Sequence, residues 1–132
     1  MNDVERRFPR HSRSVGRARK WLRQQVSSWA IPDETAQTAL LLLSELMTNA
    51  CRHARVPPGR QIGVRCVRTA DTLRIEVSDA NNDWPRPRQA SARDCSGRGL
   101  TLVAILASAW AVQPRPYGIG KTVWFELPVR SR

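Results

Sequence analysis

Apolar residues recur at the spacing of an α-helix in two stretches that fill the first part of the chain. The first repeat predicts a helix that starts at a capping Ser12 and ends before Ile31-Pro32. Its apolar positions are Val15, Ala18, Trp21, Leu22, Val26 and Trp29. The second repeat predicts a helix from a capping Asp33 to about Ala54. Its apolar side carries Ala36, Ala39, Leu40, Leu43, Leu46, Met47 and Ala50.

The middle of the chain alternates between apolar and polar positions, which is typical of strands that bury one face. The alternating apolar positions are Ile62, Val64 and Cys66, followed by Leu73, Ile75 and Val77. Residues 69–71 form a turn between the two stretches. The pattern therefore predicts an antiparallel hairpin with one buried face.

The last third of the chain predicts one more helix and two more strands. In order, these are an irregular segment over 81–96, a helix over 100–108 after Gly97-Arg98-Gly99, a strand over 110–112 and a strand over 123–127. The last strand stops at Pro128, because proline cannot donate a hydrogen bond to a neighbouring strand.

The order of these elements indicates the fold class. Residues 1–11 are predicted as an N-terminal arm with one short strand around Arg7-Phe8-Pro9, and residues 12–130 as one domain. Two helices, a hairpin, a helix and two strands predict an α+β protein. In this two-layer α/β sandwich, the helices cover one face of a mixed, mostly antiparallel sheet whose other face meets water.

Composition and charge narrow the function classes. The chain has 132 residues and a net charge of +11, from 22 basic and 11 acidic side chains. Such a surplus attracts polyanions such as nucleic acid, nucleotides or an acidic protein. The arginines are spread along the chain, however, so we favour coding bias toward arginine, with solvated charges, as the source of most of them.

The cysteines and the apolar runs indicate a cytoplasmic protein. The chain has an odd number of cysteines, and the three, Cys51, Cys66 and Cys95, lie far apart in the sequence. This argues against a zinc site and against a disulfide framework. No signal peptide is predicted, because residues 1–14 lack an apolar core. The apolar run over 39–43 is far too short to span a membrane.

Three polar residues of the second predicted helix recur at every fourth position. Glu45, Asn49 and His53 would therefore lie along one face of the helix, opposite its apolar side. A carboxylate, a carboxamide and an imidazole in a row suit the binding of a metal–phosphate group and the handling of a proton. Taken alone, the row is better explained as a solvated face of an amphipathic helix, because any surface helix carries polar residues at such spacings.

Three further segments carry candidate chemistry. Asp79 ends an apolar strand, where its carboxylate can accept a hydrogen bond from the amine of adenine, with support from Thr122. The segment Ser96-Gly97-Arg98-Gly99-Leu100 starts a helix, where backbone N–H groups and Arg98 can approach phosphate oxygens. Lys121 either contacts a phosphate or only flanks the last strand.

These segments, in this order, resemble the GHKL-type ATPases, and within them the anti-sigma-factor serine/threonine kinases of the SpoIIAB/RsbW type found in actinobacteria. Residues 45–54 look like the N box of that family, and Val77-Ser78-Asp79-Ala80 like its first glycine box. Residues 96–100 look like its second glycine box, and residues 120–124 like its closing box. The resemblance covers Phe8 to Leu127, and the combination is specific although no single box is.

The resemblance implies a Bergerat-type ATP-binding fold. Asn49 would ligate Mg²⁺, an ion that prefers oxygen ligands and shares them with phosphate. Asp79 would bind adenine, Glu45 would be the catalytic base, and residues 82–96 would form the ATP lid. The implied cofactor-binding residues are Asn49, His53, Asp79, Asn81, Gly97, Arg98, Gly99, Leu100, Lys121 and Thr122. Asn81 departs from the family, which has glycine there.

Three functions remain open. The first is an ATP-binding regulatory protein, an anti-sigma factor that phosphorylates a serine of a STAS-type antagonist protein and competes for a sigma factor. The second is a switch in which nucleotide binding controls partner affinity without phosphotransfer. The third, a basic nucleic-acid-binding module, ranks last because no recognition motif occurs. No membrane partner is expected, and a homodimer is left open.

Overall fold

A computed structural model describes residues 1–52, 61–80, 95–115 and 119–129, with residues 95–99 described by their backbone alone. Helices and strands alternate in blocks along the chain. In order they are β1 (Asn2–Pro9), α1 (Arg13–Ser28), α2 (Asp33–Arg52), β2 (Gln61–Arg68), β3 (Thr72–Asp79), α3 (Cys95–Leu106), β4 (Ala109–Pro114) and β5 (Lys121–Pro128). None of the described helices is long and apolar enough to cross a membrane.

The five strands form one sheet in the order β1-β2-β3-β5-β4, and each described neighbouring pair is antiparallel. The inward positions of each strand are apolar because side chains alternate between the two faces. The helices cover this apolar face and leave the other open, which confirms the predicted α+β two-layer sandwich. Phe8 and Trp21 join β1 to α1 across the core, with ring centroids 6.1 Å apart.

The open face of the sheet carries a chain of ion pairs. Arg65 bonds Asp3 at 2.6 Å and lies 3.8 Å from Glu76, while Arg74 contacts Glu76 at 2.8 Å and Glu126 at 3.2 Å. The hydrogen bond from Arg65 lowers the pKa of Asp3. These arginines are therefore paired with carboxylates and do not form a free basic patch.

The first strand is longer than predicted and belongs to the sheet. β1 pairs with β2 along its whole length, from Asn2 opposite Arg68 to Pro9 opposite Gln61. The expected short strand around Arg7-Phe8-Pro9 was wrong in extent, because three charged residues over 5–7 hide the alternation. Only Phe8 is fully buried, so the sequence offers one clear inward position.

The two predicted helix caps also differ from the structure. Ser12 does occupy the capping position of α1, but its side chain makes no capping hydrogen bond with the described residues. Instead Nδ1 of His11 accepts the backbone N–H of Arg13 at 3.1 Å, which satisfies one donor of the first turn. Asp33 is the first residue of α2 rather than its cap, and together with Glu34 it places negative charge at the positive end of the helix dipole.

The third helix starts earlier than predicted. α3 begins at Cys95 and ends at Leu106, whereas the apolar pattern predicted residues 100–108. Gly97 and Gly99 therefore lie inside the first turns of the helix instead of preceding it. Glycine is a poor helix former, so the sequence favoured a later start.

Candidate functional site

Four chain segments meet at one end of the sheet. Pro9 at the end of β1 lies opposite Gln61 at the start of β2, and Asp79 at the end of β3 lies opposite Lys121 at the start of β5. Gly63 pairs with Ser78, so both pairs belong to the same end. This end is where sequence analysis expected the adenine-binding carboxylate.

Helix α2 runs toward the same end. Near its first turn, Thr35 donates to the carbonyl of Pro128 at the far end of β5. In its last turn, Cys51 contacts the carbonyl of His11, just beyond β1, at 3.3 Å. The helix rises about 21 Å from Thr35 to Asn49, close to the length of β5. The C-terminal half of α2, with Glu45 and Asn49, therefore lies level with Asp79.

Asp79 is buried and paired with Lys121. The chain alternates along β3, so Asp79 follows Val77 on the inward face, and only 5% of its surface is exposed. Lys121 also faces inward, is 4% exposed, and donates from Nζ to Oδ1 of Asp79 at 3.1 Å. The structure thus brings together Asp79, the predicted adenine contact, and Lys121, which was predicted either to contact a phosphate or only to flank the last strand.

The β4–β5 connection contacts the main-chain carbonyl of Asp79, while Lys121 binds its side chain. Nη1 of Arg115 donates to the Asp79 carbonyl at 3.2 Å. Gly120 has a φ of +76°, and a Cβ built there would lie 1.8 Å from that same carbonyl oxygen. Only glycine allows so close an approach. Sequence analysis missed Arg115, because nothing in a loop sequence marks a contact with another strand.

Glu45 and Asn49 lie one turn apart on α2, both half-buried, as the predicted row requires. The side-chain nitrogen of Asn49 is buried and has no hydrogen-bond partner among the described residues. A buried polar group without a partner is costly and calls for an explanation such as a missing ligand. His53, the third residue of the row, lies outside the described residues.

Thr122 does not lie beside the Asp79 side chain. It alternates with Lys121 and therefore points to the open face, where its hydroxyl lies 2.7 Å from that of Ser78. The expected support of the adenine contact by Thr122 is wrong in this geometry, because adjacent strand residues face opposite sides of the sheet. Lys121 takes the inward position instead.

The remaining predicted residues divide into two groups. Leu100 is fully buried in the core, so a contact with nucleotide would have to use its backbone. Gly97, Arg98 and Gly99 lie in the first turns of α3, and their side chains are outside the description. Asn81 and the predicted lid up to residue 94 also lie outside the described residues. Their roles stay predictions.

A separate cavity opens on the other face of the sheet. It has a volume of about 310 Å³ and is lined by Glu5, Arg7, Gln61, Gly63, Ser78, Ala80 and Arg115. These residues belong to the outward-facing rows, so the sheet separates the cavity from the carboxylate of Asp79. Among the described residues, no three His, Cys, Asp or Glu side chains cluster as a metal site would require.

The arrangement at the inward side combines three chemical features. Asp79 supplies a buried acceptor, Asn49 a carboxamide whose buried nitrogen lacks a partner among the described residues, and Glu45 a carboxylate one turn away. These groups suit a ligand that carries a hydrogen-bond donor at one end and a metal-bound anion at the other. The chemistry of these residues therefore fits adenine and Mg²⁺–phosphate, and their binding roles stay predictions.

Comparisons with known proteins agree with this geometry. The family model of the histidine kinase-like ATPase domain matches residues 8–127. The chain is similar to the RsbU and RsbW domains of Rv1364c from Mycobacterium tuberculosis, with a TM-score of 0.71 and 16% identity over 100% of this chain and 35% of that one. No curated protein matches the chain.

Two structures of a light-activated enzyme are also similar. They are the blue-light activated histidine kinase EL346 of Erythrobacter litoralis, at 26% identity and TM-score 0.54, and its histidine kinase domain, at 24% and 0.56. The alignments cover 75% and 92% of this chain but only 32% and 62% of those chains. Likeness at these identities shows the fold, and the family model shows the membership. The chain belongs to the histidine kinase-like ATPase domain family.

Proposed function

We propose that this chain is an Mg–ATP-binding anti-sigma factor that phosphorylates a serine of its antagonist protein. ATP binding follows from the family, and the regulatory role is supported by the RsbW domain in the similar mycobacterial structure. The observation that carries the proposal is the buried side-chain nitrogen of Asn49, which has no hydrogen-bond partner among the described residues and lies one turn from Glu45. The two residues lie at the end of the sheet where Asp79 faces inward.

Each described residue of the site has a distinct role in the proposal. Asp79 would accept the amine of adenine, and the Asn49 carboxamide would turn its oxygen toward Mg²⁺. The oxygen and nitrogen of an asparagine amide are assigned from their surroundings, so either orientation fits the same side-chain position. Bound Mg–ATP would supply the phosphoryl group for transfer.

Glu45 is the proposed general base. Its carboxylate makes no ion pair with the described residues, so it is available to take the proton of a serine hydroxyl. Removing a general base lowers the rate by about 10²–10⁴. In this proposal Glu45, one turn before Asn49, would lie beyond the metal rather than beside the adenine.

The experiment compares Glu45→Ala with Glu34→Ala, a change of the same residue type at the exposed start of the same helix. A cognate antagonist is first captured from the source cell with ATP present. Glu45→Ala should bind ATP within a factor of about three of wild type and transfer phosphate at least a hundredfold more slowly. Glu34→Ala should behave as wild type in both assays.

A second function is favoured by one feature of the sequence. Asn81 stands where the resembled family has a glycine after its aspartate, and a residue with a Cβ has fewer backbone conformations open to it than glycine has. A misplacement of about 1 Å can lower a rate on the order of 10²-fold. The alternative is therefore a switch that binds ATP and its partners without transfer. Wild-type protein that binds both ATP and antagonist but yields no phosphoserine would decide for this switch.

A further inference from the structure

We infer that Lys121 is a positioning residue for base selection, acting through Asp79, and is not a phosphate ligand. The inference rests on the proposed binding of ATP and adds the feature that makes the site discriminate between bases. In this view the ammonium group of Lys121 fixes Asp79 as an acceptor that favours a base carrying an amine.

The strand register brings the two groups together. Lys121 lies directly opposite Asp79 in the β3–β5 pair, and both side chains point to the covered face. Residues directly opposite each other in an antiparallel pair have side chains about 4.5–5.5 Å apart at Cβ, close enough to bond laterally. The observed 3.1 Å contact is thus the direct result of the register.

The burial of the pair argues against a second role for Lys121 at the phosphates. The side chains of Lys121 and Asp79 are only 5% and 7% exposed. A buried charge that loses its partner is strongly unfavourable. Moving the ammonium to a phosphate would break its 3.1 Å contact with the buried Asp79 carboxylate, so Lys121 is expected to stay on Asp79.

The backbone of Asp79 is fixed together with its side chain. Arg115 donates to its carbonyl, and Gly120 packs directly on that carbonyl. The β4–β5 connection and the start of β5 therefore hold one residue by both its main chain and its carboxylate. An acceptor held in this way has a defined direction, which is what recognition of one base edge requires.

The charge of the pair also determines what the site selects. An ionised carboxylate only accepts hydrogen bonds, so it favours the amine of adenine over the carbonyl of guanine. Charge-assisted hydrogen bonds are about twice as strong as neutral ones. Lys121 orients the buried acceptor through the 3.1 Å contact, and loss of Lys121 should therefore reduce discrimination between bases.

The test measures by calorimetry the affinity of the protein for ATP, GTP and purine ribonucleoside triphosphate. The last probe carries hydrogen in place of the adenine amine. Wild type should prefer ATP over it by about tenfold or more. In Lys121→Met the ATP affinity should fall about tenfold and the preference should shrink to less than about threefold. Lys20→Met, at the only other lysine of the chain and on an exposed face of α1, should leave both values unchanged.

Three other results would overturn the inference. A tighter ATP complex in Lys121→Met would mean that the ion pair competes with adenine. An equal loss of affinity for all three nucleotides would mean that Lys121 contacts the shared phosphates or only stabilises the fold. An unchanged preference would mean that Lys121 does not act through Asp79. If Lys121→Met does not fold, Lys121→Gln replaces it, with the same expected loss of preference.

The same data separate this inference from the proposed function. Wild type that fails to bind any of the nucleotides contradicts ATP binding itself. If wild type prefers ATP and the Lys121→Met variant shows the same preference as wild type, ATP binding stands. Only the role of Lys121 is then contradicted.

Discussion

The contact between Gly120 and Asp79 leads to a prediction in which two similar substitutions have opposite effects. In Gly120→Ala, the new Cβ would lie 1.8 Å from the Asp79 carbonyl oxygen and 2.6 Å from Cα of Ala80. Real Cβ contacts are essentially never shorter than 3.0 Å, so the backbone of one strand has to move by more than 1 Å. Neither contact atom belongs to a flexible side chain that could rotate away.

The expected loss of stability has two parts. A residue with a Cβ at the positive φ of Gly120 costs about 1–2 kcal/mol. Moving the Asp79 carbonyl breaks its bond with Arg115, and an unsatisfied buried group costs about 1–3 kcal/mol. The sum, about 2–5 kcal/mol, is a large part of the about 5–15 kcal/mol that holds a domain folded. For a chain of this size it corresponds to a drop of roughly 8–20 °C in Tm.

Gly16→Ala is the matched control. Gly16 lies inside α1, and a Cβ there would meet no atom within 4 Å. Alanine is a better helix former than glycine by about 0.5–1 kcal/mol, so this variant should be more stable than wild type. Urea denaturation followed by circular dichroism measures both variants. A Gly120→Ala variant within about 1 kcal/mol of wild type would refute the close approach of β5 to Asp79.

Two further predictions concern Asn49 and Cys66. Asn49→Ala should remove the Mg²⁺ dependence of nucleotide binding and leave the fold intact. If circular dichroism shows that the variant is unfolded, Asn49 is a structural residue and not a metal ligand. Burial raises the pKa of the Cys66 thiol to about 12, above its ordinary value near 9. The unfolded state therefore loses this proton first, so the free energy of unfolding should fall as the pH rises from about 9 toward 12. Cys66→Ala should lessen the dependence of stability on pH in this range. An unchanged dependence would contradict the burial of the thiol.

Most of the fold could be predicted because its elements carry clear periodic patterns. The β2–β3 hairpin and β5 alternate cleanly, and α2 has a continuous apolar side. β1 could be predicted only in part, since Glu5, Arg6 and Arg7 interrupt its alternation. The start of α3 was predicted too late, because its first turns contain two glycines.

The sequence predicts candidate site residues one by one, and their binding roles stay predictions, but it does not predict how these residues contact each other. The inward position of Lys121 was readable from its alternation with Val123, and the same alternation placed Thr122 outside. The pairing of Lys121 with Asp79 depends on the register between β3 and β5, which are separated by more than 40 residues in the chain. No local pattern sets such a register, so the ion pair appeared only in the folded structure.

The central claim is that Asp79 binds the adenine of ATP, and a calorimetric titration of wild type and Asp79→Asn tests it most directly. Wild type should bind ATP in the presence of Mg²⁺ and should bind GTP poorly. Loss of a charged acceptor costs about 1.5–3 kcal/mol, so Asp79→Asn protein that circular dichroism shows to be folded should bind ATP at least about tenfold more weakly than wild type. Equal affinity of wild type for ATP and GTP, or an Asp79→Asn variant that binds ATP as tightly as wild type, would contradict the claim.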